Sequence, residues 1–149
     1  MFRFILLIAL LLFSEEESFK AKVIGVTDGD TIIVLSEENK QIKIRLEGID
    51  CPESNQDFGS LAKQATVNLC FQKFVTVDKT GEDLYGRTLA YVYVEDLCIN
   101  KELIRIGMAW HFKKYNKNSE LSEIELKAKN DKVGIWSCPN PIAPWKYRL

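Results

Sequence analysis

Histidine is almost absent from this sequence, because His111 is the only one among its 149 residues. Hydrolases that use a histidine pair, or a Ser-His-Asp triad supported by further imidazoles, are therefore difficult to build from this chain. His111 stands in the segment GMAWHFKKY, where we interpret it as a residue packed or hydrogen-bonded beside Trp110. A general base in this protein is therefore expected to be a carboxylate.

The sequence also contains no C-x-x-C pair, which argues against a zinc site. Its four cysteines are Cys51, Cys70, Cys98 and Cys138. Four cysteines allow three disulfide pairings, and the sequence does not select one of them. A chain of this length does not require disulfides to form a core, so free buried thiols remain an alternative.

No apolar run in the chain is long enough to span a membrane. The longest one, residues 4–13, follows Arg3 and has the length of a signal-peptide h-region. We therefore expect residues 1–17 to be a signal peptide or N-terminal hydrophobic segment, and the protein to be exported to the periplasm or the exterior. An uncleaved membrane anchor is the alternative.

A strong excess of positive charge is missing as well. The formal net charge is −1, and removing residues 1–17 takes away Arg3 and three glutamates, which changes it to +1. Proteins that coat nucleic acid without specificity are much more basic than this. If the partner is nucleic acid, a local site must recognise it.

The hydrophobic pattern predicts a β-rich α+β domain over residues 18–138. Two strands interrupted at Asp28-Gly29-Asp30 and an alternating third strand, KQIKIRLEGI, form an antiparallel meander. A helix, two further strands and two helices follow, which is the element order of a five-stranded antiparallel OB-type β-barrel with three helices. Residues 139–149 form a proline-rich tail that is expected to pack on the domain without helix.

Acidic residues cluster where these strands end. Asp28 and Asp30 interrupt the first two strands, whereas Asp50 and Glu53 follow the third, so a meander can bring them to one rim of the sheet. Such an oxygen-only site suits Ca²⁺ better than a transition metal. The alternative for the Asp-Gly-Asp segment is a simple hairpin turn. Glu47 is expected to be a solvated residue of the strand face.

Two arginines accompany these acids. Arg45 lies on the polar face of the third strand, and Arg87 follows a Tyr-Gly turn before another strand. Either alone is most simply a solvated surface residue. Two guanidinium groups facing an acidic metal site would instead suit phosphate oxygens.

Four segments in the same order, from about residue 22 to 137, resemble the thermonuclease family of staphylococcal nuclease-like proteins, in its Gram-negative branch. These segments are VTDGDTIIV, IRLEGIDCPE, EDLYGRTLAYVYV and INKELIRIGMAW with GIWS. The resemblance implies a calcium-dependent endonuclease that hydrolyses DNA and RNA with little sequence specificity and leaves 3′-phosphate ends. It also implies a monomer without a stable protein partner, acting on single-stranded or locally open substrate.

The resemblance assigns the hydrolytic roles residue by residue. Asp30 and Asp50 would bind Ca²⁺ through their carboxylates, and Cys51 through its backbone carbonyl. Glu53 would accept a proton from the attacking water. Arg45 would stabilise the charge on the phosphate in the transition state.

The remaining implied roles concern substrate and orientation. Arg87 would bind the phosphate and assist the departing 5′-oxygen, whereas Asp28 and Thr31 would orient the metal ligands. Tyr85 and Tyr115 would contact phosphate or base. The family usually has a lysine and a second tyrosine at the positions of Leu84 and Lys113, and these departures affect the grip on the nucleotide.

A second function from another class remains open, namely a non-catalytic OB-fold module that binds single-stranded nucleic acid or protein. The feature that discriminates between the two is the full set of Asp30, Asp50, Glu53, Arg45 and Arg87. A binding module has no chemical reason to retain all five.

Overall fold

The structure is a computed structural model that describes residues 18–149. The predicted signal peptide, residues 1–17, lies outside the described residues. Within residues 18–149, no helix is both long and apolar enough to cross a membrane.

Five strands form the closed barrel that the sequence predicts. The meander β1–β2–β3 continues from β1 to β5 and from β5 to β6, and every one of these pairs is antiparallel. The strands are β1 (Ser18–Asp28), β2 (Thr31–Ser36), β3 (Gln41–Leu46), β4 (Ile49–Asp50), β5 (Phe74–Glu82), β6 (Thr88–Val94), β7 (Leu97–Cys98) and β8 (Trp110–His111). The two-residue strands lie outside the ring, with β7 on β6 and β4 paired to β8.

The pair that closes the barrel differs from the rest, because β3 and β6 run parallel. An odd number of strands cannot alternate in direction all the way round a ring, so one neighbouring pair must be parallel. This closure sets Arg45 opposite Leu89, which places Arg87 just before the strand adjacent to Arg45.

The core follows from the alternation along the strands. Val23 pairs with Val34 and Ile32 with Ile44, and all four side chains are fully buried. Each such side chain contributes roughly 1.5–3 kcal/mol through removal of apolar surface from water. The polar residues of the same strands consequently face outward or toward the rim.

Three helices cover the barrel, as predicted: α1 (Gly59–Cys70), α2 (Ile99–Arg105) and α3 (Ser119–Asp131). Helix α2 buries Ile99, Leu103 and Ile104 in the core. The Asn118 side chain caps α3 by accepting hydrogen bonds from the backbone amides of the first turn.

The expectation of a tail without helix is wrong for one turn, since Pro144–Tyr147 forms a short helix, α4. Pro144 occupies the first helical turn, where its fixed φ angle suits the helix and its missing N–H costs nothing. Trp145 of this helix stacks on Phe112, with ring centroids 5.2 Å apart, and meets Trp110 edge to face at 5.4 Å. Ile142, in contrast, remains exposed.

All four cysteines are free thiols, and Cys51, Cys70 and Cys98 are buried. Of the two alternatives that the sequence leaves open, the structure therefore has unpaired cysteines, three of which pack as small apolar residues.

Candidate active site

Two buried aspartates meet where the β1–β2 turn approaches the end of β4. The exposed fraction is 7% for Asp30 and 1% for Asp50. The Cys51 backbone amide donates a 2.8 Å hydrogen bond to Asp30 Oδ2, which ties the turn to the segment after β4. Asp30 Oδ1 accepts a 3.2 Å hydrogen bond from the Thr31 hydroxyl. The predicted convergence of these strand ends is therefore present.

Arg45 links the two aspartates from the end of β3. Its Nη2 lies 3.5 Å from both Asp30 Oδ2 and Asp50 Oδ1. Its Nη1 donates to the carbonyls of Leu46 and Ile49, at 2.9 and 2.8 Å. The guanidinium is thus fixed by backbone carbonyls while one of its nitrogens faces the acidic site.

Glu53 stands at the rim of this site, with a side chain that is 36% exposed. The Gln56 side-chain carbonyl accepts a hydrogen bond from the Glu53 backbone amide, at 3.0 Å. The loop is also held at Gly59, where an added Cβ would lie 1.9 Å from the Glu53 carbonyl oxygen. Glu53 is therefore mounted on a backbone that is packed directly against the start of α1.

A residue that the sequence reasoning missed, Arg148, joins Asp50 to Glu53. Its Nη2 donates to Asp50 Oδ2 at 2.7 Å, and its Nη1 donates to Asp50 Oδ1 at 3.1 Å and to Glu53 Oε1 at 2.6 Å. These contacts raise the pKa of Arg148, chiefly through the hydrogen bonds from its guanidinium to Asp50. No pattern in the sequence signals this contact, because packing of the tail creates it.

Burial and the proximity of several carboxylates raise the pKa values of three groups in the site. Burial raises the pKa of Asp28, and the charges of Asp30 and Glu53 raise it further. Burial also raises the pKa of Asp50, against the opposing effect of Arg148. The Cys51 thiol has a pKa well above its ordinary value, mainly through burial and then through the charge of Asp30. This thiol is consequently neutral, which agrees with a role for Cys51 through its backbone.

Arg87 is positioned by its own loop. The Asp83 carboxylate accepts hydrogen bonds from the backbone amides of Tyr85 and Arg87, both at 2.9 Å, and from Arg87 Nε at 2.6 Å. The guanidinium also lies 5.7 Å from the centre of the exposed Tyr85 ring. Although burial opposes it, hydrogen bonding by Arg87 and Tyr85 holds the pKa of Asp83 below its ordinary value. Within residues 18–149, the recorded ion pair of Arg87 is with Asp83 and not with the acidic site.

An aromatic and cationic groove of about 680 Å³ lies beside the acidic site, between the loop after β8 and the tail. Tyr115 lines it and is 69% exposed, and Trp145 and Arg148 form its other side. Lys113 in the same loop pairs with the buried Glu125 at 2.8 Å. Leu84 is fully exposed and stands apart from this groove.

The structure shows the surroundings of His111 and Glu47, to which the sequence assigns no catalytic role. His111 is buried and hydrogen-bonded, with Asn116 at Nε2 and Ser122 at Nδ1, both at 2.9 Å, which confirms its structural interpretation. The expectation of a solvated Glu47 is wrong. Its carboxylate accepts hydrogen bonds from Asn116 Nδ2 at 3.1 Å and from the Thr80 hydroxyl at 3.2 Å, because the turn after β3 lies between β5 and the loop before α3.

The donor set fits a hard cation. Asp30 and Asp50 are buried like charges that share one Arg45 nitrogen, and the nearby oxygen donors are carboxylate and backbone groups. Among the residues that the structure describes, no group of three or more His, Cys, Asp or Glu side chains is arranged to hold a metal ion. A cation here would therefore depend on two carboxylates supplemented by backbone oxygen, water or substrate.

The site is therefore a closed β-barrel with a cluster of carboxylates and two arginines, Arg45 and Arg148, at its rim. The staphylococcal nuclease homologue family model matches residues 43–138. The chain is 40% identical over 142 residues to a micrococcal nuclease of Shigella flexneri, covering 87% of this chain and 80% of that protein. It is 39% identical over 132 residues to an uncharacterized endonuclease of Haemophilus influenzae, covering 89% and 74%.

A third relative, protein ParB of Escherichia coli, is 35% identical over 140 residues, which cover 87% of this chain and 78% of that protein. The chain belongs to the staphylococcal nuclease homologue family. It is therefore a nuclease by family, and nucleases hydrolyse phosphodiester bonds.

Proposed function

We propose that this protein is an exported, monomeric, calcium-dependent endonuclease that cleaves DNA and RNA with little sequence specificity and leaves 3′-phosphate ends. The observation that carries the proposal is the pair of buried aspartates, Asp30 and Asp50, which share one nitrogen of Arg45 beside the rim carboxylate of Glu53. Two buried carboxylates that both lie 3.5 Å from one guanidinium nitrogen require compensating positive charge. A phosphate-binding hydrolytic site supplies a reason for both the acids and the arginine.

In this proposal Asp30, Asp50 and the Cys51 carbonyl hold the calcium ion, with Thr31 and Asp28 orienting the aspartates. When bound, calcium supplies Lewis-acid polarisation of a phosphate oxygen and neutralises developing charge. The neutral, buried Cys51 thiol fits a backbone role at this position.

Glu53 acts as the general base in the proposed reaction. A carboxylate that is partly exposed at the rim can contact a water molecule, accept its proton as the water attacks phosphorus, and release that proton to solvent. The packing of Gly59 against the Glu53 carbonyl holds this base in place. The proposed proton acceptor is thus rigidly mounted and accessible to water.

Arg45 and Arg87 complete the proposed machinery. Arg45 is fixed by two backbone carbonyls, so it can donate to a phosphate oxygen without first being ordered. Arg87 precedes the strand adjacent to Arg45, and we propose that it binds the same phosphate and stabilises the departing 5′-oxygen. Tyr85 and Tyr115 are exposed enough to stack on bases, which suits single-stranded or locally open substrate.

A cleavage assay tests this function. Labelled single-stranded DNA and RNA oligonucleotides should be cut with Ca²⁺ and left intact with a chelator, and Mg²⁺ should support little cleavage because it demands tight octahedral geometry. Asp50→Asn should abolish cleavage. Asp57→Asn, which alters an exposed acid of the same loop, should leave it unchanged.

Two results would contradict the proposal. Equal cleavage in chelator would refute the calcium requirement. Tight binding of oligonucleotides without cleavage under any metal condition would favour a non-catalytic binding module instead. Analysis of the product ends, by sensitivity to a 3′-phosphatase, tests the expected 3′-phosphate.

A further inference from the structure

We propose that Arg148 is an internal counter-cation that competes with calcium for Asp50 and Glu53, so that calcium binding requires the Arg148 guanidinium to leave the site. The inference rests on the proposed calcium site and adds a regulator to it, namely residues 144–149 of the same chain.

The first support is that the Arg148 guanidinium contacts both carboxylates of the proposed site. One guanidinium engages both oxygens of Asp50, at 2.7 and 3.1 Å, and one oxygen of Glu53, at 2.6 Å. A paired fork of this kind is the strongest ordinary arrangement for a carboxylate. A divalent cation on Asp50 would need the same oxygens and would repel the guanidinium, so the two cations exclude each other.

The second support is the contrast with Arg45. Arg45 is only 14% exposed, and two backbone carbonyls hold its guanidinium. Arg148 is 40% exposed, and the contacts recorded for its guanidinium in the described chain are with the two carboxylates. Arg148 can therefore withdraw into solvent at low cost when another cation takes its place, whereas Arg45 cannot.

The third support is the way in which the tail presents Arg148. Trp145 stacks on Phe112, and the Tyr147 hydroxyl donates a 3.1 Å hydrogen bond to the Asn55 carbonyl. These contacts hold α4 against the barrel directly before Arg148. The competition is therefore intramolecular, with an effective concentration set by the tail and not by the solution.

The size of the change in calcium affinity depends on the fraction of time that Arg148 covers Asp50. If Arg148 covers Asp50 about 90% of the time, the apparent dissociation constant for calcium rises about tenfold. Removing the guanidinium should therefore increase calcium affinity by about tenfold, and Arg148→Lys should give an intermediate value because a single ammonium cannot form the fork.

Calcium titration calorimetry of the unliganded protein tests the inference without measuring cleavage. Arg148→Gln should bind calcium about tenfold more tightly than the unmodified protein. Lys146→Gln removes the same charge from the same tail, at a side chain that lines the groove, and should change the affinity less than twofold. Melting curves of each variant verify that the barrel remains folded.

The Arg148→Lys variant separates displacement from a simple change in charge. Lysine keeps the positive charge at the same place in the tail but cannot form the fork to Asp50 and Glu53. Its calcium affinity should therefore lie between those of the unmodified protein and Arg148→Gln.

Each outcome is decisive. Equal calcium affinity in Arg148→Gln and the unmodified protein would overturn the competition but leave the calcium site intact. Tighter binding in Arg148→Gln together with an unchanged affinity in Arg148→Lys would mean that Arg148 acts only through its charge, and would overturn displacement. No calcium binding in either protein would overturn the calcium site and the competition together.

Discussion

Arg45 and Arg87 should differ sharply in what they contribute to stability, although both are proposed to bind phosphate. Arg45 is nearly buried and donates to the carbonyls of Leu46 and Ile49, which shape the turn between β3 and β4. Hydrogen bonds that involve a charged group contribute roughly 1.5–3 kcal/mol each. In Arg45→Lys, an ammonium can satisfy at most part of this set, so we expect a loss of about 2 kcal/mol in the free energy of unfolding.

Arg87→Lys is the matched comparison. Arg87 pairs with Asp83 within one loop, and their side chains are 27% and 17% exposed. Because solvent screens a pair at the surface, such a pair contributes about 0–1 kcal/mol, less than the hydrogen bonds of the nearly buried Arg45. For a chain of this size, 1 kcal/mol corresponds to roughly 3 °C in melting temperature. We therefore expect Arg45→Lys to melt about 6 °C lower and Arg87→Lys to melt within about 2 °C of the unmodified protein.

Urea unfolding followed by tryptophan fluorescence measures both variants, and single-turnover cleavage measures their activity. Both variants should cleave slowly, because a point charge does not reproduce a bidentate fork on phosphate. Equal stability losses in the two variants would refute the proposed anchoring of Arg45. A slow but fully stable Arg45→Lys protein would show that the carbonyl contacts contribute nothing measurable.

Two further substitutions test the packing around the site. Glu125→Gln should lower the free energy of unfolding by about 1–3 kcal/mol at pH 7, because Glu125 is buried and accepts from Lys113 and the His111 amide. Burial alone would raise the pKa of Glu125, but these hydrogen bonds hold it below the ordinary 4.5. The difference in unfolding free energy between the variant and the unmodified protein should therefore be complete above about pH 4.5. It should disappear at lower pH, as Glu125 of the folded protein becomes protonated. Cys51→Ser should keep cleavage, since serine presents the same backbone carbonyl, but should melt several degrees lower because burying a hydroxyl costs more than burying a thiol. Loss of cleavage in folded Cys51→Ser would give the thiol a direct role.

The barrel and its acidic rim could be predicted because local sequence encodes both. Alternation in β3 sets which residues face the core, and the turn at Asp28-Gly29-Asp30 must lie beside the end of the meander. The parallel β3–β6 pair then follows from closing five strands. Asp30, Asp50 and Arg45 therefore meet without any long-range information beyond the strand order.

Arg148 could not be predicted in the same way. It is 98 residues from Asp50 in the chain, and its position depends on how Trp145 and Tyr147 pack across the surface. The helical turn that carries it was also missed, because three prolines in the tail suggested only irregular structure. The hydrogen bonding of Glu47 could not be predicted for a related reason, because its partner Asn116 belongs to a loop that is distant in the sequence.

Single-turnover cleavage of a single-stranded oligonucleotide by Glu53→Gln, at saturating calcium, tests the proposed mechanism most directly. Glutamine keeps the size of the side chain and can still face Arg148, but it cannot accept a proton. At saturating calcium we expect the melting temperature to change little, while the cleavage rate falls by about 10²–10⁴, as is typical for loss of a general base. Near-normal cleavage by Glu53→Gln would remove Glu53 from the reaction and contradict the proposed mechanism.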